Sequence, residues 1–349
     1  MTLKFLAASD GEWDEVLATV RHDFYHLPSY SRLMAPFDGG HAEAVLVREQ
    51  DHFFFLPYIV RPLSKIGWVG DAGATLFDIV SPYGYPGPIQ AGPEAFQRHA
   101  VSAWHKVMSE RGCVSGFIRM HPLLNIANSA FISNGELIER GRTVSIDLQA
   151  SDEDLWRQTR ENHRRDIVKQ RRAGMTASME NDAESLQIFA TIYYETMARV
   201  GAASYYMFPA EYFRGLQDAL GDKISVCIVR NAEGQVLAGG IFTECTGIVQ
   251  YHLGGTFNSA LGSRPSKLMF DYVRTWAKQR GNTVLHLGGG FGAKEDSVFE
   301  FKAGFSPRRH AYFTWQLLFQ PEAYDGLEHR RRSQSDVGLD AQYFPIYRS

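Results

Sequence analysis

Lys302 follows Phe301 a short way downstream of Gly288, Gly289 and Gly290. Glycines lack a Cβ, so backbone there can approach a ligand closely or turn through positive φ. A lysine held behind such a turn carries the charge to meet an oxyanion as it forms. Glu295 and Asp296 fall between the turn and the lysine, and with Asp78 they are the carboxylates able to take up a proton. Tyr83, Tyr85, Tyr206, Tyr251 and His252 are polar aromatics suited to holding a reactant. Arg164, Arg165 and Lys169 sit in a densely cationic run, where arginine forks match phosphate oxygens. The bland alternative for the first group is a strand, a turn and a core-facing helix, with Lys302 in solvent.

These residues need elements to position them. Thr283–Leu287 reads as a short strand feeding the glycines, and a helix over Pro265–Arg280 precedes it, closed by Gly281. In the first half, a helix over Pro93–Arg111 closes at Gly112 and leads into the strand Val114–Met120. The two helix ends share Trp104-His105-Lys106 with Arg111-Gly112 against Trp276-Ala277-Lys278 with Arg280-Gly281. Such self-similarity predicts duplication of one mixed α/β unit. Strands over Ala44–Val47 and His52–Arg61, and over Ile224–Arg230, Val236–Glu244 and Ile248–Leu253, complete the two halves. The loop Asp78–Pro88 is stiffened by proline and glycine and presents Tyr83 and Tyr85. On a strand, Tyr251 and His252 point to opposite faces.

Leu155–Ala173 reads as one helix on which Arg157, Arg160, Arg164 and Arg171 share a face. Its plainer reading is a solvated helix with pairs such as Glu161–Arg165. The boundary is expected near residue 150, giving units 1–150 and 151–325 and a tail 326–349 that docks by its aromatics.

The chain has 349 residues, 44% apolar and 13% aromatic, which exceeds one ordinary core. With 36 basic and 39 acidic residues its net charge is −3, so no global basicity points to DNA, and any polyanion contact is local. Cys113, Cys227 and Cys245 are odd in number and scattered, which predicts a reducing compartment and neither a zinc site nor a disulfide scaffold. No stretch approaches the roughly 18 apolar residues of a membrane span, and acids interrupt the N-terminus before a signal-like run forms. The expectation is a cytoplasmic globular protein with no metal.

Several motifs resemble, in order, those of the FemAB-like branch of the GNAT acyltransferase superfamily. They are Trp156 with His163-Arg164-Arg165-Asp166-Ile167 and Arg172-Ala173-Gly174, Tyr194-Glu195-Thr196-Met197, Tyr212-Phe213, the Gly288–Gly290 run, Glu295-Asp296-Ser297 and Phe301-Lys302-Ala303-Gly304-Phe305. The Ser81–Pro88 loop resembles a segment of the branch's first domain. The resemblance covers most of residues 20–320. It implies an α/β fold of two tandem GNAT-like domains, each a mixed, mostly antiparallel sheet flanked by helices. It also implies transfer of an acyl group to an amine. The best-known members build peptidoglycan cross-bridges from aminoacyl-tRNA, and the pair matching Phe301 and Lys302 lies at the donor's acyl end, the lysine stabilising the oxyanion.

The chain departs from the resembled proteins in two respects: it has no heptad run for the long helical-hairpin arm that some cross-bridge enzymes carry, and it lacks a phosphate signature. The Arg/Gln-x-x-Gly-x-Gly/Ala pyrophosphate signature is not met by Leu261-Gly262-Ser263-Arg264-Pro265-Ser266. The resemblance therefore implies no tightly bound cofactor, with aminoacyl-tRNA ahead of acyl-CoA as cosubstrate. The acceptor is an amine of a cell-wall precursor or a small metabolite. The alternatives are an acyl-CoA-dependent N-acetyl- or acyltransferase and a GNAT-like domain that binds without catalysis.

Overall fold

The computed structural model describes residues 1–124, 129–334 and 343–349. The chain forms two compact units, Met1–Arg140 with Tyr312–Ser349, and Gly141–Ala311.

The first unit opens with β1 (Thr2–Ala7), α1 (Gly11–Ala18) and α2 (Pro28–Met34). It continues through β2 (His41–Glu49), β3 (His52–Pro62), β4 (Phe77–Val80), β5 (Ile89–Ala91), α3 (Glu94–Glu110), β6 (Cys113–Arg119) and α4 (Ser129–Ile132). β1, β2, β3 and β4 pair in sequence, all antiparallel. α3 then crosses back so that β6 lies parallel to β4. The buried faces of these strands, with Trp104 and Met108 of α3, make one core around Val45, Phe54, Tyr58 and Ile118. Burying one such large side chain contributes about 1.5–3 kcal/mol.

The chain leaves this unit within β7 (Glu136–Asp147). The second unit holds α5 (Asp152–Gln158), α6 (Glu161–Arg172), β8 (Thr176–Glu180), α7 (Ala183–Val200) and α8 (Ala210–Leu220). There follow β9 (Ile224–Arg230), β10 (Val236–Cys245), β11 (Ile248–Thr256), α9 (Ser266–Gln279), β12 (Val284–Gly288) and α10 (Ser297–Ala303). β8, β9, β10 and β11 form an antiparallel series, and α9 crosses back to place β12 parallel to β11. Met269, Val273 and Ala277 recur every fourth residue of α9 and bury against Phe242, Val249 and Leu285. α3 is capped at its C-terminus by Arg111, with Gly112 at φ +92°, and α9 by Arg280, with Gly281 at φ +81°. Left-handed backbone after a helix is where glycine costs least, which explains the repeated Arg-Gly. Both units thus repeat one plan: an antiparallel meander, a crossover helix and a parallel strand.

The sixth strand of each plan comes from outside its own repeat. In the second unit it is the end of β7, with Val144, Ser145, Ile146 and Asp147 antiparallel to β12. In the first it is β13 (Arg309–Leu318), whose Thr314–Leu318 stretch pairs with β6. Because β7's second half pairs with β12, the units divide at residue 140/141 and not near 150. Gly141 makes the turn-off at φ +150°, where a Cβ would meet the Ala293 carbonyl oxygen at 2.0 Å.

The tail packs on the first unit. Residues 312–349 belong to the first unit, where α11 (Pro321–Arg332) and Ile346 and Tyr347 bury against Leu63, Val69 and Val114. Tail residues 335–342 lie outside the described residues. Among the described residues no helix is long and apolar enough to cross a membrane.

Candidate functional site

β12 ends in the glycines. Gly288 adopts φ +73°. At Gly290 a Cβ would lie 2.1 Å from the Lys294 carbonyl oxygen and 2.3 Å from Asp296 Oδ1. The glycines therefore let the loop fold tightly on itself. Asp296 closes that loop: its Oδ2 accepts from Phe291 N at 3.0 Å, while Oδ1 accepts from Val298 N and Phe299 N and caps α10. His286, fully buried in the middle of β12, spans Gln250 Oε1 at 2.7 Å and Thr143 Oγ1 at 2.8 Å, tying three neighbouring strands together behind the turn.

α10 then carries Lys302 inward. Its Nζ donates to the Gly289 carbonyl oxygen at 2.6 Å and stands 5.3 Å from the Tyr251 ring centroid. The residue is 9% exposed, so the solvent reading of Lys302 does not hold. Burial disfavours the ammonium and pushes its pKa down to about 8, against a smaller opposing pull from Asp296. An ammonium has three donors, and among the described residues Gly289 takes the one hydrogen bond it makes.

Phe301 packs beside Phe270 and Phe305, with ring centroids at 5.7 and 5.6 Å. Its carbonyl accepts from His163 Nε2 of α6 at 3.0 Å. His163 is 3% exposed, and a Cβ on Gly304 would lie 2.4 Å from its Nε2. Arg160 N donates to the Gly304 carbonyl at 2.7 Å. The cationic segment and the Phe-Lys segment thus interlock through His163 and Gly304.

That interlock corrects the expected single helix. α5 stops at Thr159, whose ψ of 126° is extended, and α6 begins after Arg160, because the Arg160 amide turns to Gly304. Arg157 and Arg160 therefore leave the face predicted for them, and Arg171 turns to Asp271 at 2.6 Å. The face that forms is Glu161, Arg164, Arg165, Val168, Lys169 and Arg172, lining an open cleft of about 370 Å³. Arg164 donates to the Trp156 and Arg157 carbonyls at 3.3 and 3.2 Å. Among the described residues Glu161 and Arg165 form no ion pair.

Tyr251 and His252 do point apart: Tyr251 faces Lys302 and Phe270, while His252 Nε2 meets Tyr212 OH at 2.7 Å. Burial holds the His252 pKa down to about 3, so its ring is neutral. Tyr206 lies on the turn Ser204–Tyr206, with its ring 5.7 Å from Phe291.

The carboxylates expected to take a proton are otherwise engaged. Glu295 pairs with the Arg142 guanidinium, one contact at 2.8 Å, and this holds its pKa below the usual range. Asp78 is fully buried and belongs to the first unit, clamped by Arg61 at 2.8 Å, by Arg348, and by Tyr347 OH at 3.1 Å. It anchors the tail. Tyr83 and Tyr85 also belong to the first unit. The Tyr83 carbonyl accepts from Tyr30 OH at 2.8 Å, and Tyr85 meets Tyr25 and Tyr312 edge-on at 5.7 and 5.3 Å. Gly84 between them sits at φ +109° where a Cβ would strike the Tyr25 ring at 1.9 Å.

The second unit therefore gathers Lys302, Phe301, the glycines, Tyr251 and, through His163, the cations of α6. Sequence reasoning missed His163 as the joint, and it offered Asp296 first as a base where the structure makes it the loop's clasp. Asp296 had a signal, an acid directly before a helix; His163 had none in its local spacing.

No protein-family signature and no curated protein sequence matches the chain. Solved structures do. FemX aligns over 92% of this chain and 98% of its own at TM-score 0.67 and 14% identity. L-PGS from Bacillus licheniformis aligns over 90% of this chain and 93% of its own at TM-score 0.55 and 12% identity. The C-terminal domain of a putative lysylphosphatidylglycerol synthetase from Agrobacterium fabrum covers 91% of this chain and 93% of its own, at TM-score 0.55 and 13% identity. The chain shares its fold with FemX and with these two structures.

Proposed function

We propose that this protein is an N-acyltransferase of the FemAB-like type, moving an aminoacyl group from aminoacyl-tRNA onto an amine of a cell-wall precursor or small metabolite. The carrying observation is Lys302: a buried cation with one donor fixed on Gly289 and the rest unspent, beside Phe301. The acceptor amine, uncharged, attacks the ester carbonyl carbon and forms the C–N bond. Charge builds on the carbonyl oxygen, where Lys302 meets it. Collapse breaks the bond to the ribose oxygen, and the amine's proton ends on that departing oxygen. Because Glu295, Asp296 and Asp78 are held by other partners, this route needs no protein carboxylate. Charged tRNA as donor implies a cytoplasmic setting.

The exposed cations of α6 supply local attraction for phosphates that the net charge of −3 does not. The loop before α9 supports tRNA over CoA. Gln170 Nε2 donates to the Ser263 and Arg264 carbonyls at 2.7 and 2.8 Å, and Arg264 takes a left-handed φ of +54° in place of a glycine. The N-terminus of α9 remains the feature in favour of acyl-CoA. Purified protein offered charged tRNA, acetyl-CoA and longer acyl-CoAs with a panel of amines separates the readings. Amide formed only with charged tRNA is the expected result; a saturable CoA complex by calorimetry, with turnover from acyl-CoA, would overturn the donor.

A further inference from the structure

Apolar side chains are exposed next to the glycine turn. Phe291, directly after Gly290, is 54% exposed, and Tyr205 and Met207, flanking Tyr206, are 43% and 42% exposed. The Tyr206 ring bridges them, with centroids 5.7 Å from Phe291 and 5.4 Å from Tyr205. Their backbones are fixed rather than adrift. Phe291 N is held by Asp296, the Tyr206 carbonyl accepts from Tyr193 OH at 2.6 Å, and Met207 N bonds the Ser204 carbonyl. Three large apolar side chains held in water beside one another cost free energy unless something covers them, and such patches mark binding surfaces.

What covers them follows from where they sit. Phe291 is two residues from Gly289, whose carbonyl is bonded to Lys302. Two residues along the chain separate by at most about 7 Å, within the reach of an acyl side chain measured from its own carbonyl carbon. We infer that Phe291, Tyr206, Tyr205 and Met207 form a rim that receives the side chain of the transferred acyl group, and that the group is large and apolar or aromatic. The inference rests on the acyltransferase reading and adds to it the class of group carried. The rings offer edge and face contacts to a phenyl or branched alkyl group and almost nothing to a methyl.

The test is calorimetric binding of stable donor analogues in two series, each with a small and a bulky member. One series is 3′-alanylamino- and 3′-phenylalanylamino-3′-deoxyadenosine; the other is acetyl-CoA and phenylacetyl-CoA. In whichever series binds, the bulky member is expected to bind at least ~10-fold more tightly, within the range an apolar pocket achieves. Phe291→Ala and Tyr206→Ala should each reduce that preference to about 3-fold or less, chiefly by weakening the bulky member. Equal affinity for small and bulky members in the wild type, or a preference that survives both substitutions, overturns the rim and leaves the acyltransferase reading standing. Binding in neither series overturns that reading and this inference with it.

Discussion

Lys302 Nζ donates to the Gly289 carbonyl at 2.6 Å. This bond joins the end of β12 to α10 and fixes where the ammonium can point. An amine on a four-carbon stem is otherwise free to wander; tied at one donor and 9% exposed, it is held beside the glycines. Preorganisation of this kind is what allows a single charge to lower a barrier substantially.

Gly304 is predicted to be intolerant of the smallest change. Gly304→Ala brings a Cβ to within 2.4 Å of His163 Nε2, so the α6–α10 joint must open. Urea denaturation should show a loss of about 1–3 kcal/mol, the usual cost of overpacking. Gly262→Ala, with nothing within 4 Å of where its methyl would lie, should leave stability close to wild type. Equal stability for both variants would contradict the joint.

Asp78 distinguishes anchoring from catalysis. With Arg61, Arg348 and Tyr347 around a fully buried carboxylate, Asp78→Asn leaves cations without their partner, and loss of one member of a buried pair costs about 3–5 kcal/mol. Thermal unfolding should shift strongly downward. A variant with wild-type stability and a collapsed kcat would instead make Asp78 a general base.

The α6 face is expected to act on phosphates. Arg165→Gln, Lys169→Gln and Arg172→Gln should each weaken tRNA binding and lower the slope of log K against log salt by about 1 per charge. Lys106→Gln, exposed on α3, should leave the slope unchanged. Slopes unaltered by all of the α6 substitutions would remove phosphate binding from this face.

Much of this was readable in the chain, for local reasons. The Arg-Gly helix ends, the crossover helices and the opposite facing of Tyr251 and His252 depend on neighbours in sequence. The break at Thr159–Arg160 was not readable, because it depends on the distant Gly304 carbonyl taking the Arg160 amide. The division at residue 140 was hidden for a similar reason: only pairing with the distant β12 assigns the second half of β7 to the second unit. Asp78 looked like a free acid on a stiff loop, since nothing in its surroundings in sequence announces that Arg348, at the other end of the chain, will occupy it.

The pH dependence of kcat/KM for wild type and Lys302→Ala tests the central claim most directly. Lys302 must be an ammonium to meet an oxyanion, and burial sets its pKa at about 8. The wild-type rate should therefore rise as the acceptor amine loses its proton and then fall as pH passes through about 8. Lys302→Ala, folded as judged by its melting curve, should lose ~100-fold or more and lose the descending limb with it. Turnover by Lys302→Ala at the wild-type level, or a wild-type rate that climbs through that pH to a plateau, would contradict an oxyanion-stabilising Lys302.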